Sequence, residues 1–170
     1  MTSTEGTEGE KGTGLGLPFS YNIMEAHSGS LRMESVEGEG CVFYAQLPDV
    51  QPQVLLVDDD KHVRLQFKVE MEQSKLNIME AENGEEALML LERTVPHLIL
   101  TDIIMPKMDG FEFLKRVKEN IKTKSIPVIV FTGETGIHER EKAFQNGAVD
   151  FINKPFVFDD LIPRVRRFVG

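Results

Sequence analysis

The sequence has 170 residues, with 19 Lys and Arg against 28 Asp and Glu, a net charge of −9 and a single cysteine. This acidic balance argues against nucleic acid or an anionic membrane as the main partner, because both bind clustered Lys and Arg. The lone Cys41 excludes an internal disulfide and a cysteine-based zinc site, and no stretch reaches the roughly 20 apolar residues of a membrane span, so we expect a soluble, cytoplasmic protein.

Charge and glycine are distributed unevenly along the chain. Residues 1–50 hold 8 acidic and 2 basic residues and 8 of the 14 glycines, whereas residues 51–170 hold 20 acidic and 17 basic residues. Pro48 and Pro52 lie where the composition changes, and such prolines favour an extended connector. We therefore predict a first segment over residues 1–48, a linker over 49–52 and a second segment over 53–170.

The first segment begins with a glycine-rich stretch. Gly12, Gly14 and Gly16 stand at every second position, which permits a backbone to approach phosphate closely. The pattern then predicts a helix with Pro18 in its first turn that ends at about Ala26, followed by a hairpin over residues 31–47 with its turn at 37–40. Glycine and charge predict disorder over residues 1–12.

Several apolar side chains of the first segment have no obvious core. They are Ile23, Met24, Leu31 and Phe43. Three outcomes stay open for them: packing on the second segment, packing on another copy of the chain, or a loosely ordered segment. An exposed apolar edge of this kind favours self-association.

The second segment alternates strand and helix patterns. The strands are predicted at residues 54–57, 76–81, 97–101, 127–131 and 149–153, and the helices around 63–71, 84–91, 111–117, 137–146 and 159–168. Pro163 is predicted in or near the first turn of the last helix, where its missing N–H costs little. This alternation is typical of an α/β fold, a doubly wound five-stranded parallel sheet with helices on both faces.

Polar residues follow four of the predicted strands. Asp58, Asp59 and Asp60 follow the first, and Asp102, Thr132 and Lys154 follow the third, fourth and fifth. Ligands of such sheets bind beyond the carboxyl ends of the strands, so we expect these side chains to meet in one pocket. Carboxylate oxygens favour Mg²⁺, and a charged lysine is suited to an anion bound beside the metal. The arrangement indicates phosphoryl transfer to a carboxylate.

Residues 53–170 resemble the receiver domain of two-component response regulators. The motifs that carry this resemblance are VLLVDDD, LILTDIIMPKMDG, VIVFTG and DFINKPF. The resemblance implies a flavodoxin-like fold with strand order 2-1-3-4-5. It also implies that Asp102 is the phospho-acceptor and that Asp59 binds Mg²⁺ directly, with Asp58 acting through water and Ile104 through its backbone carbonyl.

The same resemblance assigns the remaining site residues. It implies that Thr132 and Lys154 contact the phosphoryl oxygens and that Phe151 is the aromatic residue of the switch. Ile104 and Glu134 lie two residues after the acceptor and two after the threonine, beside the path of an attacking water. We expect the apolar Ile104 to slow hydrolysis relative to a polar residue such as asparagine.

Residues 1–48 resemble the end of the ATP-binding domain of sensor histidine kinases. The matching stretches are GTGLGL, at the end of the nucleotide lid, and HSGSLRMESVEGEGCVFYAQLP, the closing hairpin. The asparagine-bearing helix, the Asp-x-Gly-x-Gly box and the phospho-accepting histidine helix of that family are absent. We therefore expect a partial α+β segment whose glycines at positions 12, 14 and 16 do not hold ATP in this chain.

These resemblances together predict a phosphorelay receiver at the C-terminal end of a hybrid sensor histidine kinase, whose parent chain could be membrane-anchored. The donor would be a phosphohistidine on a kinase core or on a histidine phosphotransfer protein. Such a receiver promotes only its own aspartyl phosphorylation and dephosphorylation. Two alternatives stay open: a free-standing receiver with a vestigial leader, and an ATP-dependent histidine kinase. A DNA-binding regulator is disfavoured because no output domain follows Gly170.

Overall fold

The chain forms two compact units, residues 1–50 and residues 51–170. The computed structural model describes residues 15–36, 38–48, 51–133 and 136–169. Within these ranges no helix is both long enough and apolar enough to cross a membrane. The prediction of disorder over residues 1–12 lies outside the described residues.

The described residues of the smaller unit form one helix and one hairpin. Helix α1 (Gly16–Ala26) is followed by strands β1 (Ser30–Val36) and β2 (Gly40–Gln46), which pair in antiparallel register from Ser30 opposite Gln46 to Val36 opposite Gly40. The helix ends where Ser28 adopts a positive φ of 55° and the amide of Gly29 donates to the carbonyl of Met24 at 2.8 Å. Both elements were predicted, and Pro18 lies in the first turn of α1 as expected.

No described side chain of this smaller unit is buried. Large apolar residues such as Phe19 (66% exposed) and Phe43 (51% exposed) lie open on the helix and the hairpin. Met24 and Leu31 are half-buried, but they do not form a core. The expectation that this segment lacks a core of its own agrees with the exposure of its described residues.

The larger unit is built from five strands and five helices in strict alternation. They are β3 (Gln53–Val57), α2 (Lys61–Gln73), β4 (Asn77–Ala81), α3 (Gly84–Arg93), β5 (Leu98–Thr101), α4 (Gly110–Glu119), β6 (Val128–Thr132), α5 (Ile137–Gln145), β7 (Asp150–Asn153) and α6 (Phe158–Val169). All neighbouring strands pair in parallel, in the order β4-β3-β5-β6-β7. Counted within this unit the order is 2-1-3-4-5, which confirms the predicted doubly wound, flavodoxin-like sheet.

Two hydrophobic cores cover the two faces of the sheet. Successive residues of β3 point to opposite faces, so Val54 and Leu56 belong to one core and Leu55 and Val57 to the other. The first core is closed by α2 and α6, which contribute Phe67, Met71, Leu161 and Val165. The second is closed by α3, α4 and α5, which contribute Ala87, Leu91, Phe113, Leu114, Val117 and Ala143. Burial on both faces explains why the central strands β3, β5 and β6 are mostly apolar.

One sequence prediction about the last helix is wrong. Because α6 begins at Phe158, Pro163 is its sixth residue and lies inside the helix rather than in its first turn. A residue at this position would ordinarily donate its amide to the carbonyl four residues earlier, and proline cannot do so. The first helical turn was expected to begin one residue later than it does.

Candidate functional site

The carboxyl edge of the parallel sheet brings together residues that are far apart in the sequence. Asp58 directly follows β3, Asp102 directly follows β5, Thr132 ends β6 and Lys154 directly follows β7. The ladder continues past the strand ends, because the amide of Asp102 donates to the carbonyl of Val57 at 2.9 Å and that of Lys154 to the carbonyl of Thr132 at 2.7 Å. The backbone therefore fixes these residues at one edge.

Lys154 joins two carboxylates at this edge. Its Nζ donates to Oδ2 of Asp58 at 2.7 Å and to Oδ2 of Asp102 at 2.6 Å. The Asp58 side chain is fully buried and the Asp102 side chain is 11% exposed, while Lys154 retains 23% of its side-chain exposure. The ammonium also lies 4.7 Å from the centre of the Phe131 ring. The cluster is thus a partly buried charge network with one side open to solvent.

Burial and pairing change the proton affinities of this network. Burial raises the pKa of Asp58 above its ordinary value, and it outweighs the hydrogen bond and positive charge of Lys154, which act in the opposite direction. Burial alone would lower the pKa of Lys154, but the hydrogen bonds and charges of Asp102 and Asp58 outweigh it and raise that pKa. The lysine is therefore held in its charged form, as a partner for anionic oxygens.

The loop after β5 fixes the orientation of Asp102. Oδ1 of its carboxylate accepts from the amide of Ile103 at 2.6 Å, and its carbonyl accepts from Oγ1 of Thr101 at 2.9 Å. The amide of Gly110 donates to the carbonyl of Ile103 at 2.8 Å, and a Cβ on Gly110 would overlap the carbonyl oxygen of Asp102. Only glycine leaves room for this close approach. Sequence analysis did not single out Gly110, although its place at the start of a helix eight residues after the aspartate was a signal.

The three consecutive aspartates after β3 do not behave alike. Asp58 turns into the network, whereas Asp59 and Asp60 are exposed. Asp60 caps α2, accepting the amide of His62 at 2.8 Å. Helix capping therefore takes Asp60 away from the network, which leaves Asp58, Asp59 and Asp102 as the three carboxylates of the predicted pocket. The role of Asp59 as a direct metal ligand stays a prediction.

The donor set at this edge fits a hard cation by its chemistry. Asp58, Asp59 and Asp102 offer oxygen ligands only, and Mg²⁺ prefers such ligands together with several waters. Among the described residues, no three acidic, histidine or cysteine side chains converge closely enough to form a metal site. In this structure the positive charge between Asp58 and Asp102 is that of Lys154.

The other predicted site residues differ in their exposure and in the unit to which they belong. Thr132 is fully buried, and Phe151 is 5% exposed within the second core. Ile104, two residues after Asp102, is 59% exposed, which leaves its predicted effect on hydrolysis open. Gly16 is the first residue of α1, in the smaller unit, and has open space around its Cα. Gly12, Gly14 and Glu134 lie outside the described residues.

Sequence analysis missed a buried arginine next to the site. In α2 the apolar residues at helical spacing are Val63, Phe67 and Met71. Phe67 and Met71 are buried and Val63 packs half-buried against the first core, but the third buried residue of the helix is Arg64. Arg64 lies three residues before Phe67, so a helical period places it on the same face. The available signal was the position of a charged residue, Arg64, among the apolar residues of the inner face. A charge that is buried there must have hydrogen-bond partners.

Similarity to known proteins supports the fold described above. The family model of the response regulator receiver domain matches residues 54–166. The chain is 38% identical over 111 residues to the two-component response regulator ORR3 of Oryza sativa, covering 64% of this chain and 84% of that protein. The structure of the chemotaxis response regulator CheY4 of Vibrio cholerae superposes with a TM-score of 0.67 at 28% identity, covering 71% of this chain and all of that chain.

A further relative extends the similarity into the smaller unit. Histidine kinase P4 of Formosa agariphila is 29% identical over an alignment of 204 positions. This alignment covers 94% of this chain. The chain spans only 15% of the length of that relative.

The match to the receiver model and the parallel sheet with its acidic edge define the class of protein. The chain belongs to the response regulator receiver domain family of two-component phosphorelay signal transduction. Members of this family receive phosphoryl groups from histidine kinases or phosphotransfer proteins, and in general they bind Mg²⁺.

Proposed function

We propose that Asp102 of this chain accepts a phosphoryl group from a phosphohistidine. The observation that supports this is the contact of its carboxylate with the Lys154 ammonium at 2.6 Å, at an edge that also holds Asp58. A carboxylate that is 11% exposed remains reachable from solvent, and its neighbouring cation is suited to phosphoryl oxygens. The buried charge cluster thus combines a nucleophile with a fixed positive group.

The proposed transfer exchanges one bond to phosphorus for another. A carboxylate oxygen of Asp102 attacks phosphorus, the bond between phosphorus and the imidazole nitrogen of the donor breaks, and that nitrogen keeps the electron pair. An acyl phosphate forms on Asp102, and Lys154 then pairs with its oxygens. Mg²⁺, when bound, supplies neutralisation of the negative charge, and the residues that would hold it are Asp59, Asp102, Asp58 through water and the carbonyl of Ile104.

The proposed output is a change of protein-binding surface. Thr132 ends β6 beside the acceptor, and Phe151 lies on the neighbouring strand β7, opposite Val130 of β6 in the parallel register. We expect the hydroxyl of Thr132 to contact the phosphoryl group and the ring of Phe151 to settle further inward in response. Both side chains are already almost fully buried, so phosphorylation shifts the balance between two packings rather than creating a new one.

We also propose that this receiver is part of a hybrid sensor histidine kinase. The similarity to histidine kinase P4 covers 94% of the chain and therefore extends beyond the receiver unit into residues before position 51. The helix and hairpin, whose described side chains are all partly or fully exposed rather than buried, suit a fragment of a larger α+β domain. The donor would be the kinase core or a histidine phosphotransfer protein, and the site of action the cytoplasm.

The acceptor assignment is tested by labelling the 170-residue chain with a small phosphodonor and Mg²⁺. The wild type should be labelled, and Asp102→Asn, which keeps the shape of the side chain but removes the nucleophile, should not. Asp60→Asn is the matched control, because Asp60 caps α2 and does not join the Lys154 network. Labelling that persists in Asp102→Asn, or that is lost equally in Asp60→Asn, would contradict the assignment.

A further inference from the structure

Arg64 is a buried cation on α2, only 6% exposed. Its neighbours in the same helix, Lys61 and Lys68, point to solvent. Burying a guanidinium is costly unless each of its N–H groups finds an acceptor, so its place in the core-facing stripe calls for an explanation. We propose that Arg64 is a positioning residue of the phosphoryl-acceptor site, one that fixes the backbone of the acidic turn; this inference rests on the proposed function.

One side of the guanidinium holds the turn that carries the acidic residues. Nη1 of Arg64 donates to the carbonyl of Asp58 at 2.7 Å and to the carbonyl of Asp59 at 3.2 Å. In the same turn the amide of Asp60 donates to Oδ1 of Asp58 at 2.8 Å, which orients that carboxylate. A change in these two peptide groups would therefore move the side chains of both Asp58 and Asp59.

The other side of the guanidinium is anchored to the edge strand. Nη2 donates to Glu82 at 2.8 Å, and Nε lies 3.5 Å from Oε2 of Glu80. Glu80 belongs to β4, and Glu82 directly follows the end of that strand. Arg64 thus connects the turn after β3 to the neighbouring strand through a planar group with several fixed donors. A lysine carries the same charge but cannot reproduce this geometry.

Charge and position predict opposite effects on cation binding. A positive charge beside a carboxylate cluster weakens the binding of a cation there, so loss of charge alone would tighten Mg²⁺ binding. If Arg64 instead holds the carbonyls and carboxylates in place, its loss weakens Mg²⁺ binding although a repulsive charge has gone. The direction of the change therefore distinguishes the two roles.

The test uses the full chain and Mg²⁺ alone, titrated by calorimetry without a phosphodonor. We expect Arg64→Lys and Arg64→Met to raise the Kd for Mg²⁺ by about tenfold, the size typical of lost outer-shell support. In the metal-free chain, hydrogen exchange of the Asp60 amide should accelerate in both variants. Arg166→Lys and Arg166→Met are the controls, because Arg166 also donates to a backbone carbonyl, that of Ser74 at 2.6 Å, but on the exposed face of α6.

An unchanged Kd in Arg64→Lys, or a lower Kd in Arg64→Met, overturns the positioning role. If Arg64→Met does not fold, Arg64→Lys decides, since it keeps the charge and most of the side-chain length. Equal acceleration of Asp60 exchange in the Arg166 variants would also contradict the proposal, because the effect would then be a general loss of stability. A wild-type chain that is not labelled on Asp102 refutes the proposed function, whereas a labelled wild type with an unaffected Arg64→Lys refutes only this inference.

Discussion

The two units of the chain differ in how they satisfy their apolar and charged groups. In residues 51–170 both faces of the sheet are covered, and the charged groups of the buried Arg64 and the half-buried Lys154 have hydrogen-bond partners. In the described part of residues 1–50 no side chain is buried, and the ion pair Arg32–Glu34 lies in solvent. Regular secondary structure alone therefore does not make an independent core: helices and strands form in both units, but among the described residues only those of 51–170 enclose buried side chains.

The largest expected contrast comes from removing one phenyl ring in each unit. Phe67 is fully buried and lies 5.1 Å from Phe131 and 5.2 Å from Phe158, ring centre to ring centre, so Phe67→Ala should destabilise the larger unit by about 3–5 kcal/mol. Phe19 is 66% exposed, and Phe19→Ala should change stability by less than about 0.5 kcal/mol. Urea unfolding followed by circular dichroism measures both. Equal losses of stability in the two variants would contradict this contrast, because they would show that Phe19 is packed as closely as Phe67.

A second contrast comes from adding one methyl group to a glycine in each unit. Gly110→Ala brings a Cβ into the carbonyl of Asp102, so we expect a loss of up to about 3 kcal/mol and slower phosphorylation. Gly16→Ala meets nothing within 4 Å at the start of α1 and should be neutral or slightly stabilising. Thermal unfolding and phosphodonor labelling check the pair. Tolerance of alanine at position 110 would mean that the loop after β5 is not held as described.

The third and smallest contrast concerns the charge networks. The folded pKa of Lys154 is raised above its ordinary 10.5, so the stability that it contributes is fully present below pH 10.5 and is lost as the pH rises through the folded value. Lys154→Met should therefore cost about 2 kcal/mol at pH 8, and this difference from wild type should shrink above pH 10.5. Unfolding in urea at several alkaline pH values measures it.

The matched control for this experiment is Arg32→Met in the smaller unit. Arg32 and Glu34 are 3.4 Å apart with side chains 68% and 56% exposed, so their pairing should contribute less than about 0.5 kcal/mol at any of these pH values. Lys118, whose pKa is lowered by burial, contributes equally to wild type and variants and cancels in each difference. A cost of Lys154→Met that persists unchanged at high pH would contradict the role of its charge.

The sheet was predictable because its strands are buried on both faces. Runs such as residues 54–57 and 98–100 contain only apolar residues, and the intervening helices repeat apolar residues at helical spacing. The predicted ends of the strands differ from the observed ones by about one residue. For example, the second strand was predicted to begin at Leu76, and β4 begins at Asn77. The exact end of a strand depends on local backbone hydrogen bonds, which the hydrophobic pattern of the sequence does not show.

The site was predictable at the level of strand ends but not of individual side chains. Asp58, Asp102 and Lys154 could be placed together because parallel strands end at one edge. The sequence could not show which of three consecutive aspartates turns inward, since that depends on the helix cap made by Asp60. Arg64 escaped prediction because the helical pattern follows apolar residues only, whereas burial of Arg64 depends on acceptors in the turn after β3 and at the end of β4.

The most direct test of the central claim is to map the phosphoryl group itself. The full chain would be phosphorylated with a small phosphodonor and Mg²⁺, digested under mild conditions and analysed by mass spectrometry. The account predicts that the modification lies on Asp102, with Asp58, Asp59 and Asp60 unmodified. A phosphoryl group on any of those three aspartates, or on a histidine, with Asp102 unmodified, would contradict it.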